Sequence, residues 1–253
     1  MTLRHWTLDG LVFRMLLEQS GRDRLPFPVQ HRPIADSAAD YHRRRHEATT
    51  SALEILDEDL RFAIRTIVEP VVRVELVGHV RTGDTEHTKL RAHAAVGHDV
   101  AVVLTQAPGI DDRSGGDITL ETMESFRGVR AVVDVLPNVV RGTGPRIDVS
   151  RPATEGDTER SPLVQSMSRT SNDDRYERLF SRPPSSAGEI LVCAGPAPDS
   201  RLTEGTTGVQ WVDFAGDGRY MIRHTSIISV IPVSVSQLVA EVRGLVGKAT
   251  AVR

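Results

Sequence analysis

The chain has 253 residues, enough to bury a sizeable core as one large domain or two small ones. Its net charge of −3 gives no electrostatic basis for nucleic-acid binding over the whole molecule, and every basic residue except Lys89 and Lys248 is an arginine or histidine. The lone Cys193 excludes an intrachain disulfide and, in the apolar run 190–194, reads as a small buried hydrophobe.

Taken in order, Leu8, Leu11, Val12, Met15 and Leu16 repeat at helical spacing behind Thr7 or Asp9 as cap, which predicts a helix opening near Trp6 and ending before Gly21. Leu25-Pro26-Phe27-Pro28 follows, and its prolines favour an extended segment. Residues 35–53 are polar, without proline or glycine, and read as a helix. A second runs from Asp57 to Val68, with Leu60, Ile64 and Ile67 on one face, and stops before Pro70.

The period then turns to two. Val72, Val74, Leu76 and Val80 alternate with Arg73, Glu75 and His79; after Thr82-Gly83-Asp84, Leu90, Ala92, Ala94 and Val96 do the same. Val100, Val102 and Leu104 and then Ile118 and Leu120 repeat the pattern, which predicts an antiparallel meander with one face buried and the other wet or covered by a partner. Phe126, Val129, Val132, Val133 and Leu136 mark a helix ending at Pro137. Residues 138–162, rich in Gly, Pro, Thr, Arg and Asp, read as a linker or long surface loop between an N-terminal half, 1–137, and a C-terminal half, 163–253, of one domain.

Tyr176, Leu179 and Phe180 predict a short helix before Pro183-Pro184, and a strand starts near Gly188. Two β-prone runs, 209–214 and 220–222, flank Ala215-Gly216-Asp217-Gly218, a strong hairpin signal because glycine accepts positive φ. A strand over 227–231 stops at Pro232. Val235, Leu238, Val239, Val242, Leu245 and Val246 then form one helical stripe, with Ser234 and Gln237 as a capping box and Gly247 placed to end it. Helix, strands, helix occurs twice, so the two halves are expected to build one shared sheet about a pseudo-twofold axis.

Chemistry is scarce. The chain has no phosphate-binding glycine loop, no Gly-x-Ser-x-Gly elbow and no His-Glu-x-x-His. His42 and His46 share a helical face, but Arg43, Arg44 and Arg45 between them repel a cation. Glu75, His79, His87 and His93 fall on one hairpin face, with Lys89 and Arg91 among them, and read better as a polar surface for a partner than as a metal site. Asp213 and Asp217 read as edge and turn residues rather than an acid–base pair. We therefore expect no catalytic site, no metal and no cofactor, and a binding function.

Trp211-Val212-Asp213, then Gly218-Arg219-Tyr220, then a strand, a proline and a final amphipathic helix resemble the end of the EspG family. The opening helix followed by Leu25-Pro26-Phe27-Pro28 is similar to its beginning. These are cytosolic chaperones of the type VII (ESX) secretion systems of mycobacteria and related actinobacteria. The resemblance implies an α/β (α+β) fold, a central antiparallel sheet flanked by two helical bundles. It implies a cytoplasmic protein whose partner is a PE–PPE heterodimer, bound through the hydrophobic helical tip of PPE. The absence of a signal-peptide pattern at the N-terminus and of any run of roughly 18 apolar residues agrees with that.

In the family, contact is made by the C-terminal bundle and a loop between early strands. Carried over, the loop is 81–86, with Arg81, Thr82, Asp84 and Glu86, and the bundle supplies Leu163, Met167, Tyr176, Phe180, Leu238 and Val242. Read from the residues alone, two other classes stay open: an oligomeric binding or regulatory protein using a sheet edge, and a hydrolase or transferase with an unrecognised site.

Overall fold

The computed structural model describes residues 3–84, 86–111, 114–150, 171–197 and 205–251. Among them are ten strands in one antiparallel sheet and six helices. The strands are β1 (His5–Leu8), β2 (Val72–Arg81), β3 (His87–Val96), β4 (Val100–Pro108), β5 (Gly115–Glu124), β6 (Ile147–Ser150), β7 (Ser186–Ala194), β8 (Thr207–Phe214), β9 (Gly218–His224) and β10 (Ile227–Pro232). The helices are α1 (Gly10–Gln19), α2 (Ala38–Ile55), α3 (Glu58–Val68), α4 (Ser125–Val133), α5 (Ser171–Phe180) and α6 (Val235–Ala251).

The strand order is β1-β5-β4-β3-β2-β7-β8-β9-β10-β6. Each half therefore contributes a four-strand meander whose last strand is flanked by a short strand from the start of that half. The halves meet at β2 and β7, which pair over Val72↔Ala194 to Val80↔Ser186. The expected single sheet with a symmetric element order is what the topology holds.

Side-chain alternation gives the sheet two faces. On one, Val72, Val74, Leu76, Ile190, Val192 and Trp211 pack beneath α4 and α6, which lie side by side under the middle of the sheet. On the other, α1 and α3 cover one end through Leu60, Ile64, Val102, Leu104 and Ile118, with α2 packed outside on α1. At the far end of that same face, α5 packs on β6 over Val212, Phe214 and Tyr220. The central strands are thus covered on both sides, and the expected one-sided meander is corrected: Arg73 and Glu75 are as buried as their apolar neighbours.

Local chemistry sets the boundaries. Asp9 caps α1 by accepting from Leu11 N–H at 2.7 Å, and Asp57 caps α3 by accepting from Leu60 N–H at 2.7 Å. Ser234 and Gln237 form the expected capping box on α6, bonding each other's backbone N–H at 2.9 and 3.3 Å.

Three expectations are corrected. Trp6 and Leu8 belong to an edge strand, not to the first helix. Residues 147–150 of the presumed linker are a strand paired with β10. Helix α6 runs through Gly247 to Ala251.

Candidate functional site

The Trp-Val-Asp and Gly-Arg-Tyr motifs fasten the fold. Trp211 lies flat across Gly78 and Gly188; a Cβ on either glycine would come within 2.5 or 2.3 Å of its ring. Its indole N–H donates to Ser186 Oγ at 3.2 Å, and that hydroxyl donates to Asp213 Oδ2 at 2.6 Å. Asp213 also accepts from Arg219 Nε and Nη2, both at 2.8 Å, and Arg219 Nη2 reaches the carbonyl of Pro137 at 2.8 Å. Asp213 and Arg219 are wholly buried, so Asp213 is not the edge residue expected.

Asp217 sits in the β8–β9 turn, between Gly216 at φ 72° and Gly218 at φ 152°. It accepts from Thr143 N–H and Oγ1 at 2.8 Å each, from Arg182 Nη1 at 2.9 Å and from the Tyr220 hydroxyl at about 3.0 Å. Burial raises its pKa, but these donors outweigh it and hold the carboxyl at about 2. Arg182 just after α5 is thereby tied to the turn, and its guanidinium lies 4.8 Å from the Phe214 ring centroid. Together these contacts fix the C-terminal end of α5 against the sheet.

Beside that end lies the β2–β3 hairpin. Its loop is closed by Thr82 N–H on the Glu86 carbonyl at 3.0 Å; Arg81 N–H bonds the Ser185 carbonyl at 2.8 Å, linking the hairpin to the start of β7. Thr82, Asp84 and Glu86 are exposed and Arg81 is half-buried. A groove of about 450 Å³ runs between the hairpin and α5, lined by Val77, His79, Phe180, Pro184, Ala187 and Val212. The structure thus ties Arg81, at the base of the loop, to Ser185 just after α5, while Thr82, Asp84 and Glu86 stand in the loop beyond it. Tyr176, one turn back, is half-buried with its ring 4.5 Å from that of Phe180.

It does not bring in Leu238 and Val242. Both are fully buried against the sheet on the opposite face, so the final helix and α5 do not form one bundle, and these two residues are core. Leu163 and Met167 lie outside the described residues.

The considered metal set also separates. Glu75 and His93 are buried, His93 against the 22–30 segment, whereas His79 and His87 are exposed farther along, with ring centroids 6.5 Å apart. His93 Nδ1–H donates to the Phe27 carbonyl at 2.8 Å. Burial chiefly, with Arg73 and Arg22 adding to it, pushes the imidazole down to about 4. Glu75 accepts from Arg73 Nε at 2.9 Å, and desolvation raises its pKa. The proline segment is held in the same way: Gln106 exchanges hydrogen bonds with Gln30 backbone at 2.6 and 2.9 Å, and Arg91 reaches Gln30 Oε1 at 3.1 Å. Cys193 is buried and its thiol pKa raised by burial, the setting of an inert thiol. Among the described residues, no three His, Cys, Asp or Glu side chains are grouped to hold a metal, and no helix is long and apolar enough to cross a membrane.

What the sequence could not show is the groove itself, because Val77, Phe180 and Val212 come from three separated segments. The available signal was the pairing of Gly78 with Gly188, which lets β2, β7 and β8 approach around Trp211.

Among curated proteins, none matches the chain. The fold is that of the Mycobacterium tuberculosis type VII secretion system chaperone EspG5, solved in complex with a PE25–PPE41 dimer: TM-score 0.54, 12% identity, 95% of each chain covered. The model of the EspG family matches residues 10–244, and on that span the chain belongs to the EspG family.

Proposed function

We propose that this protein is a cytosolic chaperone of a type VII secretion system, a single EspG-like domain that binds the hydrophobic helical tip of PPE in a PE–PPE heterodimer, keeps it soluble for export and turns over no substrate. The observation that carries the reading is the family membership, joined to a fold shared with a chaperone solved on a PE–PPE dimer. The groove between the β2–β3 loop and α5 supports it, because it is apolar, open and bounded by rigidly held elements. An exposed apolar tip is an aggregation liability, and a groove of this kind covers it.

In this reading Arg81, Thr82, Asp84 and Glu86 contact the client from the loop and Tyr176 and Phe180 from α5. Leu163 and Met167 are further proposed contacts, carried over from the family resemblance alone. Co-expression with the PE–PPE pair encoded nearest its gene tests it: a soluble complex that co-purifies is expected, and a folded protein that captures no PE–PPE pair from its own organism contradicts it.

A further inference from the structure

Four basic side chains occupy one block at the base of the β2–β3 loop. His79 stands directly opposite Lys89, and Arg81 directly opposite His87. Alternation places all four on the face that carries Val77 and the groove. Arg81 and Lys89, the two fixed cations of the block, are diagonal neighbours across the strand pair and repel unless something neutralises them.

Nothing among the described residues does. Arg81 and Lys89 make no ion pair, Arg81 Nε is buried without a hydrogen-bond partner, and the described ring contact of His79 and His87 is with each other. The carboxylates closest by register or loop position, Glu189 on β7 and Asp84 and Glu86 in the loop, form no salt bridge with the block. Arg14, Arg43, Arg45, Arg130, Arg146 and Arg182 each hold a carboxylate, whereas Arg81 and Lys89 do not. In a chain of net charge −3, an unneutralised basic block that costs local stability marks a place where sequence serves something other than the fold.

We propose that this block receives carboxylate side chains of the partner, so that the client tip carries acidic residues directly beside the apolar ones that enter the groove. This rests on the chaperone reading and adds the chemistry that selects among clients. His79 belongs to both parts, lining the groove while standing opposite Lys89. An apolar groove with a basic flank fits an amphipathic acidic helical tip.

The test uses the full chain with its PE–PPE pair, comparing wild type, Lys89→Glu, Lys89→Gln, Arg81→Gln and Phe180→Asp by titration at low and high salt, with a thermal melt of each. Expected are an affinity loss of about tenfold or more for Lys89→Glu, a smaller loss for the two neutral variants, and weaker wild-type binding at high salt. Lys89→Glu should also melt at or above the wild-type temperature, because it replaces repulsion of the diagonal Arg81 with attraction; a merely structural lysine would move the other way. Replacing acidic residues at the client tip by lysine should restore binding to Lys89→Glu. Two results overturn the proposal while leaving the chaperone reading intact: Phe180→Asp weakens binding but the charge variants and salt do not, or the block binds nucleic acid and Lys89→Glu abolishes only that. If wild type captures no pair, both fall.

Discussion

Arg219 holds Asp213 in a two-pronged ion pair, with both N···O distances 2.8 Å and neither side chain exposed. Each partner has a further bond, Asp213 to Ser186 and Arg219 to Pro137, so both charges are compensated where water cannot reach. Removing one charge strands the other. Asp213→Ala is expected to lose about 3–5 kcal/mol, whereas replacing both residues by apolar ones of similar volume should cost much less. Chemical denaturation of the two single variants and the double variant checks this through the coupling energy.

Trp211 needs the two glycines beneath it. Gly78→Ala or Gly188→Ala sets a methyl within van der Waals distance of the ring and of a facing carbonyl on the neighbouring strand. Either change should destabilise by about 1–3 kcal/mol. Near-ultraviolet circular dichroism and tryptophan emission should shift with it, since Trp211 is buried and Trp6 lies away at β1.

Burial separates fold from function in the C-terminal half. Leu238→Ala should lower stability by about 2–5 kcal/mol, because the side chain is wholly enclosed. Tyr176→Ala, at a half-buried position on α5, should cost less stability and more client affinity. Melting curves set beside client titrations distinguish the two classes.

Acid stability should fall in two windows. His93 in the folded protein titrates at about 4, below its ordinary 6.5, so the unfolded chain takes the proton first. Its contribution is complete above about 6.5 and is lost as pH falls toward 4, a change of roughly 3 kcal/mol. Asp217, lowered from 3.8 to about 2, keeps its contribution above about 3.8 and loses it between there and 2. Unfolding free energy measured across this range should decline through the upper window in wild type. In His93→Gln that slope should flatten while the lower window persists.

Much of this fold was legible because its signals are local. The caps Asp9 and Ser234 act within three residues, the hairpin turns on Asp217 and its flanking glycines, and the meander alternates strand by strand. The edge strands β1 and β6 were not legible: each is four residues long, and each is held by a partner about 80–115 positions away. Gly247 misled because an exposed glycine can either end a helix or be carried through one. The face assigned to Leu238 and Val242 was not readable either, since one apolar stripe suits a bundle and a sheet equally. Asp213 looked like an edge residue because its buried partner, Arg219, only meets it once the hairpin closes. The candidate loop 81–86 was legible as a turn, but its position beside α5 depends on β2 pairing with β7, which joins the two halves.

The central claim is that a PE–PPE client seats across the β2–β3 loop and α5. Hydrogen exchange of the purified protein, alone and with its client bound, tests it most directly. Added protection should concentrate in residues 79–89 and 171–184, leaving α4 and α6 unchanged. Protection confined to α4 and α6, or to the edge strands, would contradict it.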